Sequence, residues 1–154
     1  MIEESVTKSV IFFLKQHEWE ILDYDFPGSG TGRSFHIGTK EDLKKRKRVI
    51  PDIIAYKNKT ILWVENKEKD TISDYKKIYS LFQESPNLIK QICHSYSDKP
   101  IDNLFFAISF SEKSRYLEKA AKYNVNCILQ IISSFPEPEI KILFDQFAIF
   151  TATQ

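Results

Sequence analysis

Apolar residues along this chain switch between two spacings, and the switches divide it into elements. Val6, Val10, Phe13 and His17 recur at helical spacing, with Ile2, Ile11, Phe12 and Leu14 widening the stripe, so residues 2–17 are predicted to form an amphipathic helix. Trp19 to Phe26 is predicted as a strand. Val49–Tyr56 and Ile61–Lys67 are short runs of Val, Ile, Leu and Trp, separated by Lys57-Asn58-Lys59-Thr60. They predict two strands buried on both faces and joined by a tight turn. Helical spacing returns with Ile72, Tyr75, Ile78, Tyr79 and Phe82, behind a cap at Asp70 or Thr71. A second helix is predicted from Pro86, in its first turn, to Tyr96. Leu104–Phe110 predicts a buried strand, Ser111 caps a helix to about Tyr123, and 126–132 is a further strand. That order implies a parallel crossover. Residues 133–138 break the pattern, and 140–150 suit either a strand or a helix. The expectation is one α/β domain over 1–154, with a central mixed sheet of about five strands flanked by helices.

Three polar residues interrupt the two apolar runs: Asp52, Glu65 and Lys67. A two-residue loop at Asn58-Lys59, or a four-residue loop from Lys57 to Thr60, sets Asp52 directly opposite Glu65 in an antiparallel pair. Alternation puts Lys67 on the same face. A three-residue loop would shift the register by one and break the constellation. Two carboxylates face to face repel, and a divalent cation such as Mg²⁺ offsets that repulsion. A nearby Lys can orient the attacking water and stabilise charge in phosphoryl chemistry. The plainer alternative is a surface hairpin with solvated acids. The apolar residues on both sides of each polar position argue against it.

Pro51-Asp52, followed by Glu65-Asn66-Lys67, resembles the motif of the PD-(D/E)XK nuclease superfamily. The preceding helix, the hairpin and the helix–strand alternation that follows suit that family, from the first helix to the strand near Phe105. The resemblance implies a restriction-endonuclease-like fold and Mg²⁺-dependent cleavage of DNA, with Mn²⁺ as a substitute, leaving a 5′-phosphate. By the same resemblance Asp52, Glu65 and the main-chain carbonyl of Asn66 hold the metal, and Lys67 positions or activates water. Many members also use a Glu on the first helix. Glu3 lies on the buried stripe and Glu4 lies off it, so Glu3 is the candidate here. Alternatively, both acids simply complement the helix dipole.

Two further stretches suit a polyanion. Three of the four glycines fall within residues 28–32, in a segment with Ser29, Thr31, Arg33 and Ser34 as donors. This is not the dinucleotide fingerprint, since the glycines alternate at spacing two. Such a loop lets backbone N–H groups approach a phosphate, and its placement resembles the glycine–serine segment of archaeal Holliday junction resolvases. Residues 36–48 then hold Lys40, Lys44, Lys45, Arg46, Lys47 and Arg48 against Glu41 and Asp42. Charge runs are commonly solvated faces. Beside a carboxylate site, this one would supply phosphate contacts. On the helix after the Glu-x-Lys strand, Lys76 and Lys77 are further candidates for phosphate contact.

Composition narrows the picture. The chain has 154 residues, 42% of them apolar, twelve Phe and a net charge of +1, which neither demands nor excludes a nucleic-acid partner. No apolar run is long enough to span a membrane, and the first residues lack a signal-peptide pattern. Cys93 and Cys127 are far apart and read as reduced core residues, which suits the cytoplasm. His94 beside Cys93 makes a poor metal set. The expected partner is DNA. A restriction-type endonuclease, expected as a homodimer, competes with a structure-selective resolvase or repair nuclease. A non-cleaving DNA-binding or partner-binding module of the same fold is the third alternative.

Overall fold

The computed structural model describes residues 3–26, 35–36, 48–49, 51–84 and 86–150. The first helix, α1, is Glu3–Gln16. It buries Val6, Val10, Phe13 and Leu14, the predicted stripe. It ends without glycine. Glu18 takes the left-handed conformation (φ 66°), and the Trp19 N–H returns to the Leu14 carbonyl at 2.9 Å. His17 serves packing here, with Nδ1 donating to the Phe13 carbonyl at 2.9 Å and its ring against Phe13 and Phe150.

Strand β1, Glu20–Tyr24, follows. Then comes a short pair, β2 (Phe35–His36) and β3 (Arg48–Val49), antiparallel to each other and separate from the main sheet. The predicted hairpin is β4, Ile53–Lys57, and β5, Thr60–Asn66. Its register is the one the two-residue loop requires, with Lys57 opposite Thr60 and Ile53 opposite Val64. Asn58 and Lys59 both have positive φ, 48° and 61°, as a turn of this length demands. The rest of the fold braces that turn. The Lys59 carbonyl accepts from the N–H groups of Asp102 and Asn103.

Helices α2 (Ile72–Glu84) and α3 (Pro86–Tyr96) precede β6 (Asn103–Phe110), β7 (Cys127–Ser133) and β8 (Glu139–Asp145). The sheet has six strands in the order β1-β4-β5-β6-β7-β8. The three central strands β5, β6 and β7 run parallel, and the other neighbouring pairs are antiparallel. The fold is thus α/β with a mixed, helix-flanked sheet, one strand larger than expected. The extra strand is β8. Its Ile140-Lys141-Ile142-Leu143-Phe144 run pairs the free edge of β7, which would otherwise leave a row of backbone groups unsatisfied.

Strand alternation sorts the core into two layers. Ile54, Ile61, Trp63, Phe106, Ile108 and Ile128 face α2 and α3, packing with Tyr75, Ile78, Leu81 and Ile92. Ile53, Ala55, Leu62, Val64, Ala107 and Leu129 face α1. Both cysteines are free and buried, and burial pushes the Cys93 thiol up to about 11. No helix among the described residues is long and apolar enough to cross a membrane.

The helix expected from Ser111 to Tyr123 does not form. The segment carries only two short 3₁₀ turns, Leu117–Lys119 and Ala121–Tyr123. Asp70 supplies a physical reason. Its buried carboxylate accepts from the backbone N–H groups of Arg115 (2.5 Å) and Tyr116 (3.3 Å), which ties the middle of the segment to the start of α2. The same carboxylate lies beside Tyr75 on α2, and burial first and then its charge push that phenol up. Thr71 meets the α2 side chains Ser73 and Asp74.

Candidate active site

Asp52 precedes β4, Glu65 lies near the end of β5, and Lys67 is the first residue after Asn66. The hairpin register extends one step beyond Ile53 and Val64 to bring the two acids together. Asp52 is anchored at two points. Its main-chain carbonyl accepts from the Asp25 N–H at 2.7 Å, and its Oδ2 accepts from the Asn66 N–H at 2.8 Å. Its carboxyl also hydrogen-bonds Glu65. Asp52 is 9% exposed and Glu65 is 2% exposed.

Burial of this kind disfavours charge, and a second acid disfavours it further. Asp52 is pushed up to about 8, chiefly by desolvation and then by the charge of Glu65, against the opposing bond from the Asn66 N–H. At neutral pH this favours the protonated form of Asp52. Glu65 is oriented by the Trp63 indole, whose Nε1 donates to Oε1 at 3.1 Å. Lys77, on α2, approaches the same oxygen at 3.5 Å.

Lys67 is half-buried. Desolvation pulls its pKa down, but the charges of Asp52, Glu65, Asp74 and Glu3 outweigh it and hold the ammonium above its ordinary value. At neutral pH Lys67 is therefore a cation. It can orient a water or neutralise an oxyanion, but it has no lone pair with which to take a proton from water.

On the opposite face of β5, the Asn66 side chain joins a neutral network. Its Nδ2 donates to Thr7 Oγ1 at 3.1 Å, Ser109 Oγ donates to its Oδ1, and Thr7 Oγ1 donates to the Glu3 carbonyl at 3.0 Å. These bonds seat the first turn of α1 against the end of β5. They also occupy the Asn66 side chain, which leaves its main chain as the part available to a metal. Glu3 is half-buried and close enough to raise the Lys67 ammonium, while Glu4 turns aside to pair with Lys8 at 2.7 Å. Among the described residues no three His, Cys, Asp or Glu side chains gather as a metal-binding group. Glu3 is thus near the site without completing a carboxylate triad.

Ser29, Arg33, Lys44, Lys45, Arg46 and Lys47 lie outside the described residues. Arg48 opens β3, where its backbone pairs with His36. Lys76 is exposed, and the lysine that α2 brings to the pair is its neighbour Lys77. Trp63 was not singled out by motif spacing. Alternation would have found it, because it stands two residues before Glu65 on the same face.

Two converging, buried carboxyls that hold one proton too many can exchange that proton for a divalent cation. The donor set, two acids and a main-chain carbonyl, suits Mg²⁺, which keeps several waters of its own. Compared with known proteins, the chain matches no protein-family model, no curated protein and no solved structure. A functional reading therefore rests on the geometry of this site.

Proposed function

We propose that the protein is a Mg²⁺-dependent DNA endonuclease of the PD-(D/E)XK type, with a restriction-endonuclease-like fold and a restriction-type role. The observation that carries the proposal is the buried Asp52–Glu65 pair with Lys67 beside it. A structural hairpin gains nothing from burying two acids face to face, whereas a divalent-cation site uses both as ligands.

A bound divalent cation would polarise a phosphoryl oxygen and make its bound water more acidic. Asp52, Glu65 and the Asn66 carbonyl are the groups that would hold it, and Mn²⁺ would serve in place of Mg²⁺. The remaining work falls to the chain. The Asn66 N–H fixes Asp52, and the Trp63 indole fixes Glu65. Lys67 positions the attacking water and neutralises charge on the phosphorus oxygens. Lys44, Lys45, Arg46, Lys47 and Arg48 attract the polyanion, helped by Ser29 and Arg33, and Lys76 adds a peripheral phosphate contact. Hydrolysis leaves a 5′-phosphate.

A structure-selective resolvase or repair nuclease is the second reading. The sheet, its helices and their short connections take up most of the described chain, so few segments remain for reading bases. Cleavage of a branched junction, a duplex library and an RNA by the wild type and by Asp52→Ala tests both readings. Divalent-dependent cutting that Asp52→Ala loses supports the site, and the preferred substrate assigns the role. Equal activity in the two proteins sinks the site. Binding without cutting on every nucleic acid leaves a non-cleaving DNA-binding module.

A further inference from the structure

An open groove of about 360 Å³ lies between α1 and the end of β1, closed at one side by the turn between β7 and β8. Its walls are aromatic: Phe12 on α1, Tyr24 and Phe26 at the end of β1, and Phe135 on the turn. They stand as two ring pairs. Tyr24 and Phe26 stack at 6.1 Å, while Phe12 and Phe135 meet edge to face at 6.3 Å. Tyr24 is 37% exposed and Phe135 is 47% exposed, so the ring surfaces reach solvent. Lys8 and Lys15 line the same groove. They stand seven residues apart on α1, hence about 10 Å along its axis. Lys8 lies over the Phe26 ring at 5.6 Å and is paired with Glu4, while Lys15 is exposed.

We infer that this groove binds an unpaired base of single-stranded DNA, with its flanking phosphates on Lys8 and Lys15. The inference rests on the nuclease reading, and a single-stranded ligand favours its structure-selective form over the restriction-type role. Aromatic walls bind any base through its π-face, and lysines at either end supply the backbone charge. A base stacked inside a duplex cannot enter such a groove, so the ligand must be unstacked. One wall is tied to the Asn66 face of β5 and the other to the main chain of Asp52. Lys8 follows Thr7, whose hydroxyl receives the Asn66 amide. Phe26 follows Asp25, whose N–H holds the Asp52 carbonyl.

The test is fluorescence anisotropy with a labelled oligothymidylate and a labelled blunt duplex. It is done in EDTA, so that binding is separated from cleavage. Phe135→Ala and Lys15→Glu both alter exposed side chains, and circular dichroism checks that each stays folded. Each variant should weaken oligothymidylate binding by about tenfold and leave duplex binding near wild type. Wild-type affinity for the oligothymidylate in both variants would overturn the inference, as would equal losses on both probes or no binding of the single strand by the wild type. Cleavage assays in Mg²⁺ separate this result from the nuclease reading. If the wild type cuts nothing while the variants lose single-strand binding, the groove stands and the nuclease reading fails. If the wild type cuts DNA and the variants bind like wild type, the groove fails and the nuclease stands.

Discussion

Glu65 and Asn66 are neighbours on one strand, equally buried, and they face opposite sides of the same sheet. Asn66 meets only neutral partners, the hydroxyls of Thr7 and Ser109, and its amide is satisfied at both ends. Glu65 meets another acid, Asp52, whose pKa is raised, and its Oε1 takes the Trp63 indole N–H and lies near Lys77. The first arrangement is what stability favours, because every buried polar group is matched. The second costs stability, because burial and a neighbouring acid both disfavour charge. One strand thus carries a structural anchor and a member of the candidate site in consecutive residues, and the pleat keeps them apart.

The largest effect should come from removing the charge and keeping the anchor. Asp52→Asn preserves an oxygen for the Asn66 N–H. It should still lower Mg²⁺-dependent cleavage by on the order of 10³-fold, measured as initial rate on supercoiled DNA, with folding intact.

The acid pair should next reveal itself in the pH dependence of stability. The folded state keeps a proton on Asp52 up to about pH 8, whereas the unfolded chain releases it near 3.8. Between those values the folded state binds the extra proton. Metal-free stability should therefore fall as pH rises through this window, by a few kcal/mol in all at about 1.4 kcal/mol per pH unit. Urea titrations at pH 5, 6, 7 and 8 would show it, and Asp52→Asn should flatten the slope. Mg²⁺ should stabilise more at pH 8 than at pH 6, because binding must expel that proton. A stability that rises from pH 5 to pH 8 in the metal-free wild type would contradict the protonated Asp52.

On the neutral face, Asn66→Ala should cost about 2–3 kcal/mol by leaving the Ser109 and Thr7 hydroxyls short of a partner. Urea unfolding at one pH would measure it, and the slope with pH should remain that of the wild type. The smallest effect is expected at Lys77. Its side chain is 47% exposed, so Lys77→Ala should change stability by less than about 1 kcal/mol. Lys76→Ala, away from the pair, should stay within about 0.5 kcal/mol.

Local pattern was enough for much of the fold. The helix of Val6, Val10 and Phe13, the turn at Asn58-Lys59 and the helices from Ile72 and Pro86 all follow from residues close in sequence. The candidate carboxylate pair was equally legible, because a two-residue loop leaves the hairpin one register and that register pairs Asp52 with Glu65. Residues 111–123 were misjudged for the opposite reason. Their helical spacing competes with Asp70, more than forty positions earlier, and the buried carboxylate takes their N–H groups. Trp63 escaped notice because nothing in a short motif marks an indole two residues away, and Lys77, read as a phosphate contact, reaches Glu65 only because α2 packs on that face.

What the chain determined by itself was most of the helices and strands, the hairpin register and the presence of two acids and a lysine on one face. These depend on spacing, and spacing is written in the sequence. Only the tertiary structure decided that Asp52 is held well above its ordinary pKa, that Lys67 stays a cation, and that Asn66 turns its side chain away to hold α1. Each of those depends on burial and on charges brought from distant elements, and both arise only when the layers pack.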